Sequence, residues 1–270
     1  MPTELSGNEA PKSSNDKEIP FHEIPRAFPR EEDDERPGPS NPLEWLVGFF
    51  GMPFEHGVEG PAKRPLATWG VVGLLVLASL WGFWDENVLD EFGMIPEQIK
   101  RYGGATLLTS FFLHGGFMHL FGNAYFLLLF GDNVEDHVGK LRLLGLLLFS
   151  TLLGDAIHIA LDPRGDIPVI GASGGIAGVM SYYAFQYPHA RLRMQNPRYE
   201  HLVRWIEFPA WTGMLVWAAL QVYGLLRQVS GYGHVSAAAH LGGAAAGVLW
   251  WLFWRRKIEA EEAFGALEGK

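Results

Sequence analysis

The chain has 270 residues, 48% of them hydrophobic, a formal net charge of −9 and no cysteine. The missing cysteines exclude disulfides, thiolate metal sites and a cysteine nucleophile. Thirteen acidic and five basic residues fall within positions 1–60, so the negative charge belongs to the N-terminal region, and no basic patch points to nucleic acid.

Residues 1–40 are rich in Pro, Glu, Asp and Ser, with EEDDER at 31–36, and read as a disordered acidic tail. Residues 43–54, LEWLVGFFGMPF, are apolar but broken by Gly and Pro, and read as a short segment, interfacial or packed on the bundle, within a first region, 1–60. Six long apolar runs follow, at 67–84, 107–130, 141–161, 169–185, 208–226 and 235–254. Each approaches the ~20 residues that a helix needs to cross the hydrocarbon core. The fold class expected is an all-α polytopic membrane protein, with six transmembrane helices within residues 66–256 and a short tail at 257–270. The low mean hydropathy, +0.06, reflects dilution by the polar tail. With both termini placed in the cytoplasm, 11 Lys and Arg fall on the inner side and four (Lys100, Arg101, Arg164 and Arg227) on the outer side. Trp250, Trp251 and Trp254, just before Arg255, suit an inner interfacial belt.

Polar groups inside these runs are costly unless they find partners. The second run holds His114, His119 and Asn123, the fourth opens on Gly171-Ala172-Ser173-Gly174, and the sixth carries His240. In the six-helix topology His119, Ser173 and His240 come to a similar depth on the outer side. A serine needs a base to become a nucleophile, and His240 is the base available. Ser173 shares a helix face with Ala177 and Ser181, and His240 with Ser236, Gly243 and Gly247. Such small-residue faces let two membrane helices approach closely. No acidic residue on them offers a third member, so a Ser-His dyad is expected. His119 and Asn123, at i and i+4, can both donate hydrogen bonds, and with the Ser173 N–H they would form an oxyanion hole.

Other polar residues have blander readings. His114 precedes a Gly-Gly pair and shapes the loop–helix junction. Asp155 and His158, at i and i+3, are expected to pair with each other. Glu135 and Asp136 are expected to organise a loop by hydrogen bonding. A metal site at His114, His119 and His240 is a competing reading. It lacks H-E-x-x-H, and His114 and His119, five apart, do not share a face. A small transporter would also place polar groups at mid-membrane.

The chain resembles the rhomboid intramembrane serine proteases. The resemblance rests on LLTSFFLHGGFMHLFGN at 107–123, FGDNVEDHVGKLR at 130–142, GASGGIAG at 171–178 and AHLGGAAAG at 239–247. It implies a six-helix rhomboid-like bundle in which Ser173 is the nucleophile, His240 the base, and His119 and Asn123 line the oxyanion hole. His114, Gly171 and Gly174 then support the site. It also implies no cofactor or metal, single-pass transmembrane proteins as substrates and the lipid bilayer as surroundings. A bacterial-type inner membrane with both termini cytoplasmic is the expected location. Two positions depart from the family pattern. Gly104-Ala105-Thr106 stands where many members carry a Trp-Arg pair before LLTS, and Ala177 stands where an aromatic residue often stacks on the base. A catalytically silent rhomboid-like protein that binds client helices is the alternative.

Overall fold

The computed structural model describes residue 48 and residues 51–268, apart from 58–59, 86, 196–204 and 234. The acidic tail and most of the 43–54 segment lie outside the described residues. Six long helices dominate: α1 (Leu66–Trp84), α2 (Phe117–Val138), α3 (Lys140–Leu161), α4 (Ser173–Gln186), α5 (Ala210–Val229) and α6 (Ala237–Glu268). Among the described residues, α1, α3 and the Ala237–Ile258 part of α6 are long and apolar enough to cross a membrane. Leu74, Leu77, Leu148, Leu220 and Leu252 stand exposed on the outside of the bundle, where lipid replaces water as the solvent.

Two of the apolar runs are not continuous helices. The second breaks at Gly115-Gly116: a short helix at Thr106–Thr109 and a 3-10 turn at Ser110–Phe112 precede it, and α2 then runs on to Val138. Gly116 precedes the first residue of α2 in extended backbone. The fourth run becomes helical only at Ser173, and α4 has 14 residues. At ~1.5 Å per residue that is about 21 Å, too short for a hydrocarbon core of ~30 Å. The N-terminus of α4 is therefore recessed. The segment leading to it is tied down by the Met94–Val169 bridge and by Gly171 N–H donating to the Ser110 carbonyl at 2.9 Å.

α3, α4 and α6 pack backbone against backbone. A methyl group on Gly178 would collide with Ser150 Oγ, one on Gly243 with the Gly174 carbonyl, and one on Gly247 with the Gly178 carbonyl. Ser181 Oγ donates to the Ala244 carbonyl at 2.8 Å across the same contact. The small-residue faces read from the sequence are the faces that meet. Leu127, Val134, Leu143, Leu146, Val179 and Tyr182 fill the apolar core beneath them.

The opposite end carries a feature the all-helical reading did not foresee. β1 (Phe54–Glu55), β2 (Arg191–Gln195) and β3 (Trp205–Pro209) form a small antiparallel sheet, with Phe54 opposite Arg193 and Arg193 opposite Glu207. The side chains of Glu135 and Asp136, expected to organise the loop at the end of α2, bond instead to the start of α1 and the residues before it. The buried Glu135 accepts from the N–H groups of Ala67 and Thr68, at 3.0 and 2.7 Å, and from the Thr68 hydroxyl at 2.9 Å. Asp136 accepts from the N–H groups of Ala62 and Lys63. Glu135 thus satisfies donors that α1 leaves open at its N-terminus, and Asp136 holds the segment that leads into it.

Candidate active site

Ser173 is the first residue of α4, so its N–H has no acceptor within the helix and sits at the positive end of the helix dipole. Its hydroxyl lies 2.8 Å from His240 Nε2. The ring's other nitrogen, Nδ1, lies 2.8 Å from Gln221 Oε1 on α5. An amide oxygen there requires the imidazole proton on Nδ1, which leaves Nε2 as the acceptor for the serine proton. The Trp217 ring lies 6.0 Å from the same imidazole, one turn before Gln221. Gln221 and Trp217 supply the support for His240 that Ala177 does not provide. The expected dyad thus has a third, uncharged member, which the sequence reading missed. A glutamine in the apolar run 208–226 was the available signal.

His119 and Asn123 line the same cavity of about 1080 Å³ as Ser173 and His240. The Asn123 amide donates to the His119 carbonyl at 2.9 Å, which fixes its orientation on α2. Gly171 has φ +119°, and a Cβ there would stand 2.8 Å from His119 Nε2. Glycine is required both for the backbone turn and for the room that the imidazole takes. Gly174 faces the Ala239 carbonyl and lets α6 approach beside the serine. His114 is fully buried, bonds Ser79 Oγ on α1 through Nδ1 at 2.9 Å, and stacks edge-on to His119 at 4.9 Å. It braces the junction and the His119 ring.

Asp155 and His158 do not pair. His158 Nδ1 turns instead to Ser236 Oγ at 2.7 Å and to Gln228 Nε2 at 3.1 Å. The fully buried Gln228 also donates to Asp162 at 2.7 Å and accepts from the Ala238 N–H at 2.9 Å, tying the ends of α3 and α5 to the start of α6. The Arg164 guanidinium beside Asp162 holds that carboxyl well below the usual carboxylate range. Across the loop before α2, Arg101 Nη2 donates to the Gly93 carbonyl at 2.8 Å and Thr109 to the Phe92 carbonyl at 2.7 Å. These bonds brace the loop where the Trp-Arg pair is missing.

A half-buried, hydrogen-bonded serine–imidazole pair at a helix N-terminus, with donors beside it and a cavity in front, is suited to acyl transfer. The model of the Rhomboid domain matches residues 102–257, more than half of the chain. The chain belongs to the rhomboid family. It is 27% identical over 221 residues to RHOMBOID-like protein 12, mitochondrial, of Arabidopsis thaliana, covering 76% of this chain and 62% of that protein. Rhomboid protein 1, mitochondrial, of Saccharomyces cerevisiae is 26% identical over 236 residues, or 81% of this chain and 64% of that protein. Presenilin-associated rhomboid-like protein A, mitochondrial, of Danio rerio is 30% identical over 161 residues, or 56% and 39%. The matched part of the chain spans less than two thirds of each of these relatives. The protein is a membrane protein of rhomboid architecture.

Proposed function

We propose that the protein is a serine-type intramembrane endopeptidase that cleaves single-pass membrane proteins within or near their transmembrane helix. The observation that carries this reading is the Ser173–His240 hydrogen bond, 2.8 Å, with Gln221 fixing the imidazole from behind. Ser173 Oγ attacks the scissile carbonyl while His240 Nε2 takes its proton. The oxyanion forms against the Ser173 N–H, His119 and Asn123. His240 then returns the proton to the leaving amine, and the C-terminal fragment departs. A water, deprotonated by His240, hydrolyses the acyl-enzyme and restores the serine. The chemistry requires no metal or cofactor.

A transmembrane substrate presents peptide bonds that are already hydrogen-bonded within its helix. Ser173, recessed at the start of a short helix, can reach a carbonyl only where the substrate has unwound. Small or helix-breaking residues near the cleaved bond should favour cleavage. The finer location also rests on proposal: the loop charges favour both termini on the same, positively charged face, which in a bacterial-type inner membrane is the cytoplasm. The silent helix-binding alternative gives no reason for an aligned serine, imidazole and amide.

The test is cleavage of a model single-pass substrate in liposomes by the intact protein and by Ser173→Ala. Cleavage by the first alone is expected. Equal cleavage by both would overturn the assignment of Ser173.

A further inference from the structure

The cavity in front of Ser173 continues to a second polar wall on α3. The charged side chains lining it are Asp155, Asp162 and Arg164. Asp162 is matched: Arg164 donates to it through Nε at 2.9 Å and Nη2 at 2.7 Å, and spends Nη1 on the Gly233 carbonyl at 2.6 Å. Asp155 is not matched. It is 7% exposed, and its buried Oδ2 has no hydrogen-bond partner among the described residues. His158, one turn further on, gives Nδ1 to Ser236 and Gln228 and leaves Nε2 without a partner. Among the described residues the cavity thus holds two carboxyl groups and one guanidinium, and the guanidinium is taken by Asp162.

An unpaired buried carboxylate is expensive. Another buried carboxylate on a long helix, Glu135, is satisfied by three donors. Asp155 differs in lining the cavity where the substrate must lie. Apolar Ile176 and Val235 also line the cavity, a surface suited to the aliphatic stem of a long basic side chain.

The geometry points to a substrate subsite in which Asp155 receives a lysine or arginine close to the scissile bond of the polypeptide bound at Ser173. This specificity rests on the protease reading. The bound cation supplies the partner that Asp155 lacks. A neutral side chain of similar length fills the same space and leaves the carboxylate unpaired. An acidic one is repelled.

The test is a set of single-pass model substrates in which each position from three before to three after the cleaved bond is changed in turn to Lys, Arg, Gln, Leu or Glu. At one position, Lys and Arg should raise kcat/KM about tenfold or more over Gln and Leu, because a buried charge is paired only in that case. Glu at that position should abolish cleavage. Asp155→Asn should lose the basic preference while still cleaving the Leu and Gln substrates, and Asp155→Glu should restore part of it. Cleavage by the unaltered enzyme with no basic preference at any position would overturn the subsite alone. So would a preference that survives in Asp155→Asn. Failure of the unaltered enzyme to cleave any member would overturn the protease reading and the subsite together. The substrate series on the unaltered enzyme decides the matter even if the variants do not fold.

Discussion

His240 is held from two sides, by Ser173 on α4 and by Gln221 on α5, so its proton inventory is set by a neutral amide rather than a carboxylate. Gln221→Ala should free the ring to adopt the wrong tautomer and lower kcat about 10- to 100-fold with little change in KM, less than the loss of a triad carboxylate costs. An unchanged kcat would mean that Trp217 and packing alone orient the ring. Asn123→Ala should lower kcat by about 100-fold or more if its amide meets the oxyanion, and steady-state kinetics on a folded variant will measure this. Ser173 and His240 were legible in the sequence because each is a polar group on a helix face otherwise made of small residues. Gln221 was not, because a glutamine 19 residues before the base, on another helix, has no spacing signature. Asp155 and His158 were misread for a related reason: i,i+3 spacing permits a pair, but Ser236 and Gln228, distant in sequence, offered His158 better geometry.

The contact of α4 with α6 sets the distance between nucleophile and base. Gly243→Ala places a methyl group against the Gly174 carbonyl, next to Ser173, and should cost about 1–3 kcal/mol as the helices move apart. Activity should fall more than stability does, because the Ser173–His240 bond stretches. A variant with lost stability and full kcat would show that the pair tolerates the separation. Glu135→Ala removes the acceptor for three donors at the start of α1 and should cost about 2–4 kcal/mol, read from thermal unfolding in detergent, without touching the site. The apolar runs located the helices but not all of their ends. The apolar runs take in 107–116 and 169–172, whereas α2 and α4 start at Phe117 and Ser173, where glycines and loop hydrogen bonds decide. Those two misplaced starts are what recess the site.

The small sheet and the bundle meet at Glu55, which contacts Tyr183 and Asn133. Burial pushes the Glu55 carboxyl up from 4.5 to about 7. The folded state therefore binds this proton more tightly than the unfolded chain, and the stability Glu55 contributes is full below about pH 4.5 and lost as pH rises through 7. Glu55→Gln should flatten the decline between these values and raise stability above pH 7 in thermal unfolding across the range. An unaltered slope would assign the decline to other groups. Of the strand that carries Glu55, only Phe54 falls within the 43–54 segment, and a two-residue strand has no periodicity to detect. The central claim concerns the whole assembly: α4, α5 and α6 together make one hydroxyl reactive. Labelling by a fluorophosphonate, located by mass spectrometry, tests it most directly. The account predicts modification at Ser173 in the intact protein, slower modification in Gln221→Ala and none in His240→Ala. Equal labelling in all three, or none in a folded intact protein, would contradict it.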